Sequence, residues 1–90
     1  MDYYVYEAMQ GKIIGDVLKI FDFQEQAEKW CFKALREWKF NAGINKEYVI
    51  YIHSTKAAHL YCDPDTGSQT AVYWHRNGSM TRGNLQAHST

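Results

Sequence analysis

The segment Glu47-Tyr48-Val49-Ile50-Tyr51-Ile52-His53 carries large apolar or aromatic side chains at both parities of an extended chain. Side chains alternate across a strand, so Tyr48, Ile50 and Ile52 share one face and Val49, Tyr51 and His53 the other. A strand with one wet face alternates apolar with polar residues, and this one does not. One segment elsewhere has convincing helical periodicity. A single helix covers a single face of a sheet. The second face then needs the chain's own tail, a twin subunit or a partner.

The rest of the chain supplies that sheet and that helix. Tyr3 to Met9 reads as a strand, because Tyr-Tyr-Val-Tyr is strongly β-prone. Gln10-Gly11-Lys12 reads as a hairpin turn and Ile13 to Phe21 as the second strand, with Gly15-Asp16 marking a bulge. Asp22 followed by Glu25 has the form of a capping box and predicts a helix over residues 23–39. Ala27, Trp30, Cys31, Ala34, Leu35 and Trp38 fall on one stripe of it. Phe32 projects away from that stripe, among Glu25, Arg36 and Lys39. Asn41-Ala42-Gly43 offers the left-handed cap that ends the helix.

Glu47 to His53 is the third strand, Ser54-Thr55-Lys56 a turn, and Ala57 to Cys62 the fourth strand. Asp63-Pro64-Asp65-Thr66-Gly67 is a strong turn signal. Gln69 to Arg76 reads as the fifth strand, and Asn77-Gly78 predicts a type I′ hairpin returning a short edge strand over Ser79 to Arg82. The order β-β-α-β-β-β predicts an α+β two-layer sandwich, an antiparallel sheet with a single helix packed on one face. One domain over residues 1–82 is expected, with 83–90 a frayed polar tail.

Composition narrows the function. Ten basic and ten acidic residues cancel, so the chain has neither the surplus of a nonspecific nucleic-acid binder nor that of a DNA mimic. Seven Tyr, three Trp and four Phe suit surfaces that are apolar yet tolerate water, and so favour interfaces as well as cores. No apolar run reaches the length of a membrane span and the opening residues do not read as a secretory signal, so a cytoplasmic, reduced protein is expected. Cys31 and Cys62 fit no metal or redox spacing, and thiols are expected over a disulfide.

Chemistry finds little foothold. Among His53, His59, His75 and Cys62, the His53–His59 spacing falls within the window of a structural zinc site, but no close Cys pair accompanies it, so no metal and no cofactor is expected. Cys31 lies on the apolar helix stripe, where a cysteine is an inert small hydrophobe. Cys62 and His59 point to opposite faces of a strand, and no phosphate-binding, dinucleotide or nucleophile-elbow motif occurs. A non-enzymatic protein is expected.

The same aromatics support binding. Val49, Tyr51, Leu60, Ala71 and Tyr73 meet on one sheet face if the last strands form a simple meander. Val49, Tyr51 and Tyr73 are the first candidates for partner contact, with Phe32 and Arg76 as secondary anchors. A homodimer closed through this face is an alternative. Single-stranded nucleic acid stacking on Tyr51, Tyr73 and His53, with Arg76 on phosphate, is another, weakened by the neutral charge.

The opening Asp2-Tyr3-Tyr4-Val5-Tyr6-Glu7 strand and the single Ala27-Glu28-Lys29-Trp30-Cys31-Phe32 helix against a sheet resemble the layout of small phage-encoded proteins. That group includes anti-CRISPR proteins and inhibitors of host polymerases. The resemblance covers the β-β-α-β-β layout and implies a stoichiometric inhibitor that occludes a surface of a host complex. The chain departs from the acidic DNA mimics of that group in being neutral, and the resemblance transfers no functional residue.

Overall fold

The computed structural model describes residues 2–38, 46–62 and 69–84. Its elements are β1 (Tyr3–Met9), β2 (Lys12–Phe21), α1 (Gln24–Trp38), β3 (Glu47–Ile52), β4 (Thr55–Cys62), β5 (Gln69–Trp74) and β6 (Met80–Asn84). They form one six-stranded sheet in the order β2-β1-β3-β4-β5-β6, antiparallel throughout, with α1 packed on one face. This is the α+β two-layer arrangement expected from the sequence. The helical crossover returns the chain beside β1, so β1 is an inner strand and β2 and β6 are the edges.

The core lies between helix and sheet. Ala27, Cys31, Phe32 and Leu35 pack against Val5, Tyr48, Ile50, Ala58, Leu60 and Ala71. Trp30 packs at the flank, 5.5 Å from the Tyr48 ring and 6.4 Å from Phe21. Burial of this apolar face, in which small alanines let Phe32, Leu35, Tyr48, Ile50 and Leu60 pack closely, is the main favourable term in folding.

Phe32 does not project from the wet side of the helix. It is 8% exposed and belongs to the core. At 100° per residue, the buried set Ala27, Cys31, Leu35 and Phe32 points roughly 50° from the centre of the expected stripe. The helix touches β1 through β5, a surface wide enough to take Trp30 on one flank and Phe32 on the other. Gln69 of β5 fixes the Phe32 side by donating from Nε2 to the Phe32 carbonyl at 3.2 Å.

The helix also begins later than the capping box suggests. The amide of Ala27 donates to the Phe23 carbonyl at 3.2 Å, which makes Phe23 the capping position. The expected helix stop at Asn41-Ala42-Gly43, the turn at residues 63–67 and the tail from residue 85 lie outside the described residues. Residues 83 and 84 belong to β6, so the last strand runs past the expected boundary at Arg82.

The turns carry the backbone irregularities. Gln10 and Gly11 both have positive φ, 52° and 81°, between the paired Met9 and Lys12, as a two-residue type I′ hairpin requires. The β5–β6 loop differs from the Asn77-Gly78 type I′ expectation. His75 N–H donates to Ser79 C=O at 3.0 Å around three residues, with positive φ at Gly78 but not at Asn77. Asn77 Oδ1 instead accepts from the Ser79 amide at 2.9 Å and hydroxyl at 2.6 Å, the local bonding that Asn offers turns.

Candidate functional site

Among the described residues no helix lies over the sheet face opposite α1, and the composition of that face follows from register. Tyr6, Val49, His59, Val72 and Arg82 pair successively across β1, β3, β4, β5 and β6 and therefore form one row. Tyr4, Tyr51 and Lys56 form a second row, and Ala8, Glu47, Tyr61 and Thr70 a third. Trp74 and Met80 extend the face toward β6. Lys56 Nζ sits 5.2 Å over the Trp74 ring, a cation–π placement.

Val49 is 1% exposed and Val72 6% although no helix covers them. Half-buried neighbours shield them: Tyr6 and Tyr51 in edge-to-face contact at 5.7 Å, and His59 and Tyr61 at 5.3 Å. The face is thus an apolar floor with a half-exposed aromatic layer on top. Such a layer retains contact area and hydroxyl groups for a second surface.

A polar cluster stands at one margin. Glu47 Oε2 accepts the Gln10 amide at 2.8 Å and Oε1 the Gly11 amide at 3.3 Å. Glu47 Oε1 also lies 2.6 Å from His59 Nε2. A carboxylate only accepts, so Nε2 carries the proton in that contact. These partners occupy the Glu47 carboxylate. Lys56 and Arg82 remain as the cationic groups of the central rows.

Several sequence expectations change here. Tyr73 does not join Tyr51 on the uncovered face. It pairs with Ala58 on the helix side, and its hydroxyl donates to Glu28 Oε1 at 2.9 Å. Burial, reinforced by Glu28, raises its phenol well above the usual tyrosine range. Leu60 and Ala71 lie on the same helix side. The cause is a bulge in β4: Ile50 pairs with Ala58 but Tyr51 with Lys56, so Ala57 is the extra residue and reverses the parity. Val49 and Tyr51 keep the expected face. Arg76 is exposed in the β5–β6 turn, at the end of the sheet. His53 is no strand residue of that face but an exposed turn residue with φ of 57°.

Sequence reasoning did not reach Tyr4, Tyr6, Tyr61, Trp74, Lys56, Arg82 or the Glu47–His59 contact. The alternation Tyr4/Tyr6 against Tyr3/Val5 was available as a signal, but only an inner position for β1 gives it meaning.

The arrangement offers contact chemistry. Cys31 is buried, and burial followed by the nearby Glu28 pushes its thiol up to about 12, which keeps it protonated and unreactive. No disulfide joins Cys31 and Cys62. The histidines are dispersed: His59 bonds Glu47, and His75 Nε2 lies 2.7 Å from Thr81 Oγ1 in the β5–β6 hairpin. Among the described residues no three His, Cys, Asp or Glu side chains gather into a metal-holding group, and no helix is long and apolar enough to cross a membrane. No family model, no curated protein and no solved structure matches the chain.

Proposed function

We propose that the chain is a non-enzymatic protein-binding module that sterically blocks a surface of a larger complex through the sheet face opposite α1. The observation that carries this reading is the half-exposed layer of Tyr4, Tyr6, Tyr51, Tyr61 and Trp74 over the buried Val49 and Val72. Tyrosine and tryptophan supply large, rigid contact area with a hydrogen-bonding end, the pattern of binding hot spots. Lys56 and Arg82 add positive charge while the Glu47 carboxylate is occupied, which favours a partner surface bearing carboxylates. The resemblance to small phage-encoded inhibitors suggests a host assembly as the target, a CRISPR effector complex for example.

Tyr51 is the central contact of this reading, with Val49 as the floor beneath it. The test is capture from a lysate of the source cell with immobilised wild-type chain and with Tyr51→Ala and Lys56→Glu variants. The captured protein is then purified and its binding measured directly. The reading requires at least a tenfold loss of affinity in each variant, with an unchanged circular dichroism spectrum. Equal affinity for folded variants and wild type refutes it.

The same face favours a second reading, because aromatics interleaved with Lys56 and Arg82 also suit single-stranded nucleic acid. Titration with labelled oligonucleotides separates the two. Binding that weakens steeply with salt supports nucleic acid, and no binding at low salt removes it.

A further inference from the structure

We infer that Asn77 is a deamidation site, which the closed β5–β6 hairpin holds back and the opening of β6 releases. Asn77-Gly78 is the chain's one Asn-Gly pair. Both residues are exposed, Gly78 sits at φ 85°, and a Cβ added to Gly78 would meet no atom within 4 Å. Water and hydroxide therefore reach the pair, and no side chain after Asn77 obstructs attack by the Gly78 nitrogen.

The reaction is an internal displacement followed by hydrolysis. Hydroxide takes the Gly78 N–H proton, the nitrogen bonds to Asn77 Cγ, and the Cγ–Nδ2 bond breaks. Nδ2 leaves as ammonia with a proton drawn from water. A further water opens the succinimide at either carbonyl and gives aspartate or isoaspartate at position 77.

The hairpin engages both reacting groups. The Gly78 amide donates to the His75 carbonyl at 3.0 Å, which keeps the proton on the attacking nitrogen and the nitrogen in the turn. Asn77 Oδ1 accepts from the Ser79 amide at 2.9 Å and the Ser79 hydroxyl at 2.6 Å, which fixes the side-chain amide. The His75 amide closes the loop on the Ser79 carbonyl at 3.0 Å. A step that must break one net hydrogen bond is slowed roughly fivefold, and two such bonds slow it by more than about tenfold.

Release depends on β6. It is a five-residue edge strand, none of Met80 to Gly83 is buried, and it supplies no residue to the core. Elements with so few buried contacts open locally at well below the cost of global unfolding. Isoaspartate routes the backbone through Cβ, one atom longer, and sets a carboxylate next to Arg76, so the product no longer fits the loop that His75 and Ser79 close.

Peptide-resolved mass spectrometry with isoaspartyl methyltransferase labelling, after incubation in mildly alkaline buffer, is the test. Position 77 of the folded wild type should convert at least about tenfold more slowly than in the same chain unfolded in urea. Ser79→Ala with an unchanged circular dichroism spectrum should convert roughly two- to fivefold faster than wild type, since the residue 79 amide still holds Oδ1. In the wild type, urea below the unfolding transition should raise conversion and the hydrogen exchange of the Gly78 amide in parallel. No conversion in the unfolded chain overturns the inference, as do equal rates in the folded and unfolded chains. Unchanged or slower conversion in folded Ser79→Ala overturns it too. Conversion that rises only with global unfolding removes the part played by β6 and with it the inference.

Discussion

The Glu47 carboxylate stands 2.6 Å from the His59 ring across β3 and β4, and the same carboxylate accepts the amides of Gln10 and Gly11. One side chain therefore ties the β1–β2 turn to the centre of the sheet. The Glu47 side chain is 12% exposed and that of His59 20%, so solvent screens the Glu47–His59 contact weakly, whereas the turn amides are open to water. Glu47→Ala should destabilise the fold by about 1–2 kcal/mol, since it removes the charge-assisted bonds to the part-buried His59 ring and to the exposed turn amides, which water then solvates. Glu47→Gln keeps an acceptor oxygen and should lose about half as much. Hydrogen exchange at Gln10 and Gly11 localises the effect: their amides should exchange faster in Glu47→Ala. Unchanged exchange would mean that the carboxylate does not hold the turn.

The turn that Glu47 grips is itself improvable. Gln10 sits at φ 52° ahead of Gly11 at 81°, a conformation that favours Asn-Gly over Gln-Gly. A long unbranched side chain gains nothing in the left-handed region, whereas Asn tolerates it. Gln10→Asn should stabilise the protein by roughly 0.5–1 kcal/mol, because the bond to Glu47 uses the backbone and survives. A lower urea midpoint in Gln10→Asn would contradict the turn assignment.

Phe32 distinguishes the helix register seen here from the one its sequence suggests. It is 8% exposed between α1 and the sheet. Phe32→Ala should cost about 3–4 kcal/mol, the range for emptying an aromatic site in a core. On the solvent side the same change would cost within about 0.5 kcal/mol. Urea denaturation of the variant decides between the two.

The layer order and the helix were legible in the sequence because period-2 and period-3.6 patterns are local. Face membership beyond β3 was not. Val49 and Tyr51 share a strand, so their common face is readable from the alternation alone. The face of Tyr73 is not readable, because a single extra residue, Ala57, reverses the parity of everything after it, and an alanine bulge carries no compositional mark. The inner position of β1, which brings Tyr4 and Tyr6 onto the uncovered face, depends on which edge the crossover returns to. The burial of Phe32 is not readable either, because the width of the sheet, rather than helical periodicity, sets how much of a helix is buried.

Cys31 gives the fold an alkaline limit. Its thiol is pushed up to about 12 by burial and by Glu28, against 9.0 when unperturbed. The unfolded chain therefore releases this proton first. Stability from the neutral buried thiol is fully present below pH 9 and falls as pH rises from 9 toward 12. The slope from one such group approaches about 1.4 kcal/mol per pH unit. Cys31→Ala should be less stable than wild type at neutral pH and should narrow the gap above pH 9. Urea titrations at neutral pH and near pH 10 test this, and a gap constant across both would refute it.

Tyr51 and Tyr73 should respond oppositely to truncation, as their faces require. Tyr73 packs against the core and donates to Glu28, so Tyr73→Ala should cost about 3 kcal/mol or more. Tyr73→Phe isolates the hydroxyl and should cost about 1–2 kcal/mol. Tyr51 is half-buried, and its edge-to-face contact with Tyr6 is worth about 0.5–1.5 kcal/mol beyond area. Tyr51→Ala should therefore leave a folded chain with a modest loss, which is the property that makes it usable in a binding assay. Equal losses from the two truncations would place both tyrosines in one environment and contradict the register that separates them.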